Sequence, residues 1–253
     1  MRLANMRTFI TGAADGLGLA IAKAFAAEGA RLFLLDVNAR QLEVTVKSLQ
    51  EQGAAVSSYA GSVASAADVT AAFEHMDQTY GGVDALINNA GVSSNVPTLT
   101  LGDDEWDRAM AINLRGAFLC ARSAGERMVR QKSGSIVAIS SIYGVVAAPE
   151  RLAYCVSKAG IAMMAKALAI EWGASGIRSN AIAPGYVHTK LIEDLVARGR
   201  IDVPKLERRT PLGKFARPED IAEMAVFLSS PAASQITGQV IAVDGGWTAY
   251  GYL

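Results

Sequence analysis

Residues 11–18 read Thr-Gly-Ala-Ala-Asp-Gly-Leu-Gly, between an apolar segment, residues 8–10, and a helix-like run, residues 19–28. A strand, a glycine turn and a helix in this order are the setting that a phosphate-binding loop requires. Glycines permit a tight turn and close backbone approach to a pyrophosphate, and the helix N-terminus offers free N–H groups. The glycine spacing differs from the standard G-x-G-x-x-G fingerprint, so this stretch alone also fits an ordinary strand-to-helix turn.

The second predicted strand, residues 31–36, ends in an acid that supports the nucleotide interpretation. Asp36 stands 18 positions after Gly18, close to the spacing of about 20 at which an acid meets the ribose of a dinucleotide. Its carboxylate can accept both ribose hydroxyls and would repel a 2′-phosphate. No basic residue stands beside it, since Val37 and Asn38 follow. The sequence therefore favours NAD as the cofactor, with NADP less favoured.

Strand-like and helix-like segments alternate along the whole chain. The predicted strands are 6–11, 31–36, 55–60, 83–88, 135–140, 178–183 and 239–243, and the predicted helices are 16–28, 39–52, 65–79, 104–131, 152–173 and 218–229. This alternation predicts an α/β fold, a doubly wound, mostly parallel seven-stranded Rossmann-like sheet with helices on both faces. We expect one domain spanning residues 1–253, with cofactor and substrate at the carboxyl ends of the strands.

A serine, a tyrosine and a lysine form a second constellation. Tyr154 and Lys158 are four residues apart and so share one face of a predicted helix, and Ser141 precedes the tyrosine by thirteen positions. A phenol with a pKa near ~10 exchanges protons poorly at neutral pH. A neighbouring cation favours the phenolate, so we expect Lys158 to lower the pKa of Tyr154.

With these motifs in view, the chain resembles the short-chain dehydrogenase/reductase family over essentially its whole length. The resemblance rests on residues 11–18, Asn88-Asn-Ala-Gly91, Asn113, Ser140-Ser141, Tyr154-x-x-x-Lys158, Pro184-Gly185 and Asp244-Gly245-Gly246. It implies a catalytic tetrad of Asn113, Ser141, Tyr154 and Lys158, in which Asn113 holds a water. It implies that the cofactor contacts Gly12, Asp15, Gly16, Leu17, Gly18, Asp36, Ser62, Val63, Asn89, Ala90, Gly91, Tyr154, Lys158, Pro184, Gly185, Val187 and Thr189.

One position departs from the family pattern. After the third strand the family usually carries an aspartate that bonds the adenine amino group, whereas this chain reads Gly61-Ser62-Val63. The Ser62 hydroxyl can still accept a hydrogen bond. Because it is neutral, we expect weaker adenine recognition than a carboxylate would give.

Composition narrows the range of partners. Acidic and basic residues balance at 24 each in a chain of 253, of which 51% are hydrophobic. This argues against nucleic acid or an anionic membrane as the main partner. No stretch looks apolar and long enough to span a bilayer, and the first residues lack the apolar core of a signal peptide. Cys120 and Cys155 show no metal-ligand spacing. We therefore expect a cytoplasmic protein without a metal.

The substrate is left open by these motifs. It depends on residues 93–98, 142–151 and 186–211, and residues 189–211 look like an amphipathic lid. Five residues flank the catalytic positions as candidate pocket wall: Tyr143, Glu150, Arg151, Tyr186 and His188. The resemblance favours reversible hydride transfer between NAD and a secondary alcohol, such as a polyol or sugar. The alternatives are a 3-ketoacyl thioester reductase and a dinucleotide-binding regulator without turnover.

The helix that carries Tyr154 also predicts self-association. Between Leu152 and Trp172 only Lys158, Lys166 and Glu171 are charged. A helix so apolar around its circumference needs cover on the side away from the sheet. We expect a partner subunit to provide it in a homotetramer, with a dimer as the alternative; residues 104–131 of the same chain could also cover it.

Overall fold

The computed structural model describes residues 1–189, 192, 196, 199 and 202–251. Seven strands form one sheet: β1 Arg7–Thr11, β2 Arg31–Asp36, β3 Val56–Ala60, β4 Ala85–Asn88, β5 Gly134–Ile139, β6 Ile177–Pro184 and β7 Val240–Val243. Their order is β3-β2-β1-β4-β5-β6-β7, and every neighbouring pair is parallel. The predicted doubly wound Rossmann-like sheet is confirmed.

Helices cover both faces of the sheet. They are α1 Gly16–Ala27, α2 Ala39–Glu51, α3 Ala66–Tyr80, α4 Asp103–Ala109, α5 Gly116–Gln131, α6 Leu152–Trp172, α7 Val203–Arg209 and α8 Pro218–Ser229. The single helix predicted over 104–131 is interrupted, because Met110–Arg115 forms a π-helical turn between α4 and α5. The N–H of Gly116 there donates to the carbonyl of Ala111, five residues back. Such turns are rare and often carry functional residues, and this one carries Asn113.

Alternate residues of each inner strand enter different cores, which explains why these strands read as continuous apolar runs. On one face, Phe9 of β1 stacks on Phe73 of α3 with ring centroids 4.2 Å apart, and on Phe33 of β2 at 5.3 Å. On the other face, Ile10 packs in the core shared by α1 and α8. Both faces are therefore dry, and the carboxyl edge is where the sheet can hold a ligand.

The sheet order reverses between β1 and β4, and the ends of these strands are bonded together. The hydroxyl of Thr11 accepts from the N–H groups of Asn89 and Ala90, both at 3.0 Å. This joint lies at the topological switch point, where doubly wound sheets open a crevice for ligands.

Helix α6 differs from expectation in one respect. The stretch Leu152–Ser175 is long and apolar enough to cross a membrane by length and composition, so the prediction that no such stretch exists is wrong. The helix nevertheless packs on β5 and β6 and buries Lys158, and a sheet-packed core helix passes the same test. Met163 and Ile170 stay 61% and 86% exposed, so residues 104–131 do not cover its outer side.

Part of the predicted lid, residues 189–211, lies outside the described residues, namely 190–191, 193–195, 197–198 and 200–201. Its described C-terminal part forms α7, which Asp202 caps by accepting from the N–H of Lys205 at 3.0 Å.

Candidate active site

A cavity of about 590 Å³ opens along the carboxyl edge of the sheet. That volume lies in the range of cofactor and small-molecule pockets. Seventeen predicted site residues line it: Gly12, Asp15, Gly16, Leu17, Asp36, Ser62, Val63, Asn89, Ala90, Gly91, Ser141, Tyr154, Lys158, Pro184, Gly185, Val187 and Thr189. Residues far apart in sequence therefore meet in one pocket, whereas Gly18 and Asn113 do not line it.

The glycine loop is held by close backbone packing. Gly12 has φ +63°, and the amide nitrogen of Asn89 donates to the carbonyls of Thr11 and Gly12 at 3.0 and 2.9 Å. A Cβ on Gly18 would lie 1.9 Å from the Gly12 carbonyl oxygen. The loop therefore folds directly onto the Cα of Gly18, which gives this glycine a packing role; its contact with the cofactor stays a prediction.

The start of α1 suits a phosphate group. Its N-cap Asp15 accepts from the N–H of Gly16 at 2.7 Å, and the next N–H groups have no acceptor within the helix. Gly16 has φ +55° and no heavy atom within 4 Å of where a Cβ would be. The glycine therefore leaves open space at a helix N-terminus, which fits the pyrophosphate of a dinucleotide.

Asp36 marks the ribose end of the cavity. Its carboxylate accepts from the N–H groups of Ala14 and Asn38, both at 2.9 Å. Each carboxylate oxygen keeps a further lone pair. The side chain can therefore still accept hydrogen bonds from ligand hydroxyls while it fixes the glycine loop. Val37 beside it is 76% exposed and offers no positive charge.

Part of the hydrogen-bonding capacity of Ser62 is used within the turn that contains it. Its hydroxyl accepts from the N–H of Ala64 at 3.2 Å, and its N–H donates to Asp68 at 2.8 Å. The carboxylate of Asp68 thus faces the main chain rather than the cavity. Ser62 keeps one lone pair and its proton for an adenine.

Lys158 is a buried cation in the middle of the site. Its Nζ donates to the carbonyl of Ile139 at 2.8 Å and lies 5.7 Å from the ring centroid of Tyr154. Burial lowers the pKa of Lys158 to about 8. The ammonium group keeps two further N–H groups, which could donate hydrogen bonds to a ligand hydroxyl.

The pKa of Tyr154 differs in direction from the sequence-based expectation. Burial raises it, and neither the Ser141 hydroxyl nor the charge of Arg151, which both favour the phenolate, overcomes that effect. The expected lowering by Lys158 is absent in the protein alone. The physical reason is that the phenol loses hydration on burial, which disfavours the charged phenolate.

Asn113 is buried and acts through its neighbours. Its Oδ1 accepts from the N–H of Val92 at 2.7 Å, and its Nδ2 donates to the carbonyl of Val92 at 2.9 Å and to the hydroxyl of Ser157 at 3.0 Å. Both side-chain N–H donors are used, whereas Oδ1 keeps one lone pair, so the expectation that Asn113 holds a water stays a prediction. The amide ties the loop after β4 to α6, which fixes where Lys158 stands.

Aromatic side chains close the end of the cavity beyond Tyr154. The hydroxyls of Tyr143 and Tyr186 share a hydrogen bond of 2.7 Å, and Tyr186 stacks on Phe215 with centroids 5.2 Å apart. The guanidinium of Arg151 lies 5.1 Å from the Tyr143 ring centroid. Of the five flanking residues considered from sequence, Tyr143, Arg151 and Tyr186 line the cavity, whereas Glu150 and His188 do not.

One polar lining residue was not singled out from sequence. Asn95 lines the cavity, and its side-chain oxygen is buried without a hydrogen-bond partner among the described residues. It falls in the range 93–98 that was expected to shape the pocket, but no motif marks it.

Comparison with known proteins agrees with this geometry. The family model described as enoyl-(acyl carrier protein) reductase matches residues 12–248. D-threitol dehydrogenase of Mycolicibacterium smegmatis is 40% identical over 98% of this chain and 94% of its own. Galactitol 2-dehydrogenase (L-tagatose-forming) of Cereibacter sphaeroides is 38% identical over 98% and 97% of the two chains. The chain belongs to the short-chain dehydrogenase/reductase family, and it is an oxidoreductase of that family.

Two further similarities widen the range of substrates and cofactors. The 3-oxoacyl-[acyl-carrier-protein] reductase FabG of Thermotoga maritima is 36% identical over 97% of this chain and 99% of its own. The crystal structure of a gluconate 5-dehydrogenase from Burkholderia cenocepacia in complex with NADP and tartrate superposes with a TM-score of 0.93 at 32% identity, covering 98% and 97% of the chains.

Proposed function

We propose that this protein is an NAD-dependent dehydrogenase that interconverts a secondary alcohol of a polyol or sugar and the corresponding ketone. The observation that carries the proposal is the meeting of Ser141, Tyr154 and Lys158 in the same cavity as the glycine loop and Asp36. Two relatives named for polyol substrates support the substrate class.

Side chains of this protein take up the proton of the substrate hydroxyl. A bound nicotinamide would accept the hydride that leaves the carbon being oxidised. Tyr154, as phenolate, takes the hydroxyl proton, while Ser141 hydrogen-bonds the same oxygen and holds it for transfer. Because burial raises the pKa of Tyr154, the phenolate needs a cation beside it. Lys158 and the positive charge of an oxidised nicotinamide are the two candidates.

Asp36 is the reason to favour NAD. Its carboxylate sits where the adenosine ribose would lie, and the described residues that line this end of the cavity include no Lys or Arg. A 2′-phosphate would meet a negative charge without compensation. The NADP complex of the gluconate 5-dehydrogenase makes cofactor choice a point to measure.

A ketoacyl thioester reductase remains the second candidate, favoured by the FabG relative. Absorbance of reduced nicotinamide, followed with NAD and NADP across polyols, sugars and acyl thioesters, separates the two. Turnover of acyl thioesters with NADPH, and none of polyols with NAD, would replace the first proposal by the second. Cofactor binding without turnover of any substrate would indicate a regulator.

Tyr154→Phe tests the proposed acid/base group. It keeps the packing of the ring and removes the oxygen that takes the substrate's proton, so turnover should fall by about 10²-fold or more while cofactor still binds. Cofactor binding measured by fluorescence is the control for folding. Turnover close to that of the unaltered protein would remove Tyr154 from the mechanism.

We also propose that the protein assembles as a homotetramer. The support is an exposed apolar stripe on the outer side of α6, formed by Leu152, Val156, Met163 and Ile170. Apolar side chains at this spacing on one helix face are typical of helix-to-helix contacts between subunits.

A further inference from the structure

Charge is distributed unevenly along the cavity. Among its described lining residues the carboxylates are Asp15 and Asp36, and both stand at the nucleotide end. The cations are Arg151 and Lys158, and both stand at the catalytic end. Lys158 is accounted for by the hydride-transfer site and by the Ile139 carbonyl. Arg151 contributes a charge that favours the Tyr154 phenolate, but the proposed mechanism gives its N–H donors no partner.

Arg151 has no carboxylate to balance it within the described part of the chain. By contrast, Arg7 pairs with Asp84 and Arg127 pairs with Asp77. The contact with the Tyr143 ring, 5.1 Å from the guanidinium carbon to the ring centroid, is a cation–π contact and is not a hydrogen bond that uses an N–H donor. The N–H donors of Arg151 lie in the guanidinium plane and form the fork that matches a carboxylate or phosphate.

Asn95 supplies an independent observation at the same cavity. Its Oδ1 is buried and has no described partner, and a buried acceptor in that state costs free energy until a donor reaches it. Alcohol hydroxyls are donors of the required kind. The hydroxyls of Tyr143 and Tyr186 share a single hydrogen bond, so one of the two keeps a proton to donate.

We propose that the substrate is an anionic polyol, a polyhydroxylated chain that ends in a carboxylate or a phosphate. Arg151 binds the anionic group, and Asn95 Oδ1 accepts a hydrogen bond from a hydroxyl of the substrate chain while the reacting carbon faces Tyr154. The inference rests on the proposed function, because it assumes that an alcohol of this chain is oxidised.

Three compounds of one carbon skeleton test the proposal: a hexitol, the corresponding aldonate and the hexitol phosphate. The quantity measured is kcat/KM for each anion divided by kcat/KM for the hexitol. We expect this ratio to exceed about ten for the carboxylate or the phosphate, since a charge-assisted fork is among the stronger hydrogen-bond arrangements. The two anions distinguish which group the site accepts.

Arg151→Met should lower that ratio about tenfold or more, and Arg151→Lys should retain part of it because it keeps the charge. Arg130→Met is the matched control, since Arg130 is exposed near the C-terminal end of α5 and does not line the cavity. A merely structural role for Arg151 would lower all three rates together and leave the ratio unchanged. An unchanged ratio in Arg151→Met, or a preference for the hexitol in the unaltered protein, overturns the proposal.

Failure of the proposed function would look different. If none of the three compounds is oxidised, calorimetric binding of the aldonate and of the hexitol phosphate to protein saturated with NAD decides the matter. Binding that Arg151→Met abolishes and Arg130→Met preserves would uphold the anion site while removing the dehydrogenase proposal. Absence of binding would remove both.

Discussion

At the scale of single residues, the site contains a buried lysine that lowers the stability of the folded protein. Lys158 is enclosed where its charge is poorly solvated, and burial lowers its pKa from the ordinary 10.5 to about 8. A shift of that size corresponds to about 3 kcal/mol that disfavours the folded protein when the lysine is charged. The hydrogen bond to Ile139 offsets only part of this cost.

Lys158→Met should therefore inactivate the protein and stabilise it. Below about pH 8 the lysine is charged in both states, so the folded protein carries the full cost. Between about pH 8 and 10.5 only the unfolded chain keeps the proton, so the cost falls as pH rises. We expect an advantage of up to about 3 kcal/mol near pH 7 that is lost near pH 10.5. Urea unfolding without cofactor at both pH values measures it, and a pH-independent difference would contradict the prediction.

We expect the choice between NAD and NADP to depend on two adjacent residues, Asp36 and Val37. Asp36→Ala combined with Val37→Arg replaces a negative charge by a positive one at the ribose, so the ratio of kcat/KM for NADP to that for NAD should rise by about 10²-fold or more. Steady-state kinetics with both cofactors measures the ratio. Arg placed at Val44 of α2, which is exposed but does not line the cavity, is the control. The idea fails if the unaltered protein already prefers NADP.

At the scale of elements, the turn between β1 and α1 is fixed by close backbone contacts rather than by the helix propensity of its residues. Gly18→Ala would place a Cβ 1.9 Å from the Gly12 carbonyl oxygen, and backbone on both sides must then move. Gly16→Ala meets no atom within 4 Å and costs only its left-handed φ of +55°, about 1 kcal/mol. We expect Gly18→Ala to cost ~3 kcal/mol or more. Thermal or urea unfolding of the two variants compares them, and equal losses would refute the steric argument.

The same elements show what a sequence can predict. The predicted strands and helices end within about two residues of the observed ones, because buried parallel strands and glycine turns leave strong local patterns. Helix α7 was not predicted as a helix. The π turn at Met110–Arg115 was missed, since one extra residue in a helix changes no periodicity that a short window can detect. The packing role of Gly18 and the bonding of Asn113 depend on neighbours 6 and 21 or more positions away, which motif spacing does not reveal. The direction of the Tyr154 pKa shift depends on burial, which the sequence does not state.

At the scale of the whole molecule, the outer side of α6 carries the exposed apolar surface on which the proposed assembly rests. Ile170 is 86% exposed and Met163 61% exposed on a helix whose opposite side is in the core. Phe118 and Val129 of α5 are also about half exposed and extend the apolar surface.

Ile170→Glu should therefore reduce the assembly state. A charge placed in an apolar contact between symmetric copies loses its hydration on both sides of the axis. Light scattering at micromolar concentration should show a tetramer for the unaltered protein and a smaller species for the variant. Val44→Glu, on α2 at the other face of the sheet, should leave the mass unchanged. An unaltered protein with the 26.5 kDa mass of one chain would contradict the assembly.

The strand order of the sheet determines which part of the candidate site is made first during translation. The strands that hold the adenosine end, β1 to β4, leave the ribosome first, whereas Pro184 and Gly185 depend on β7 for their position. A Cβ on Gly185 would lie 2.8 Å from the Cα of Asp244, so this wall of the cavity is set only after β7 has been made. A nascent chain that lacks β7 thus holds only the other half of the candidate binding site.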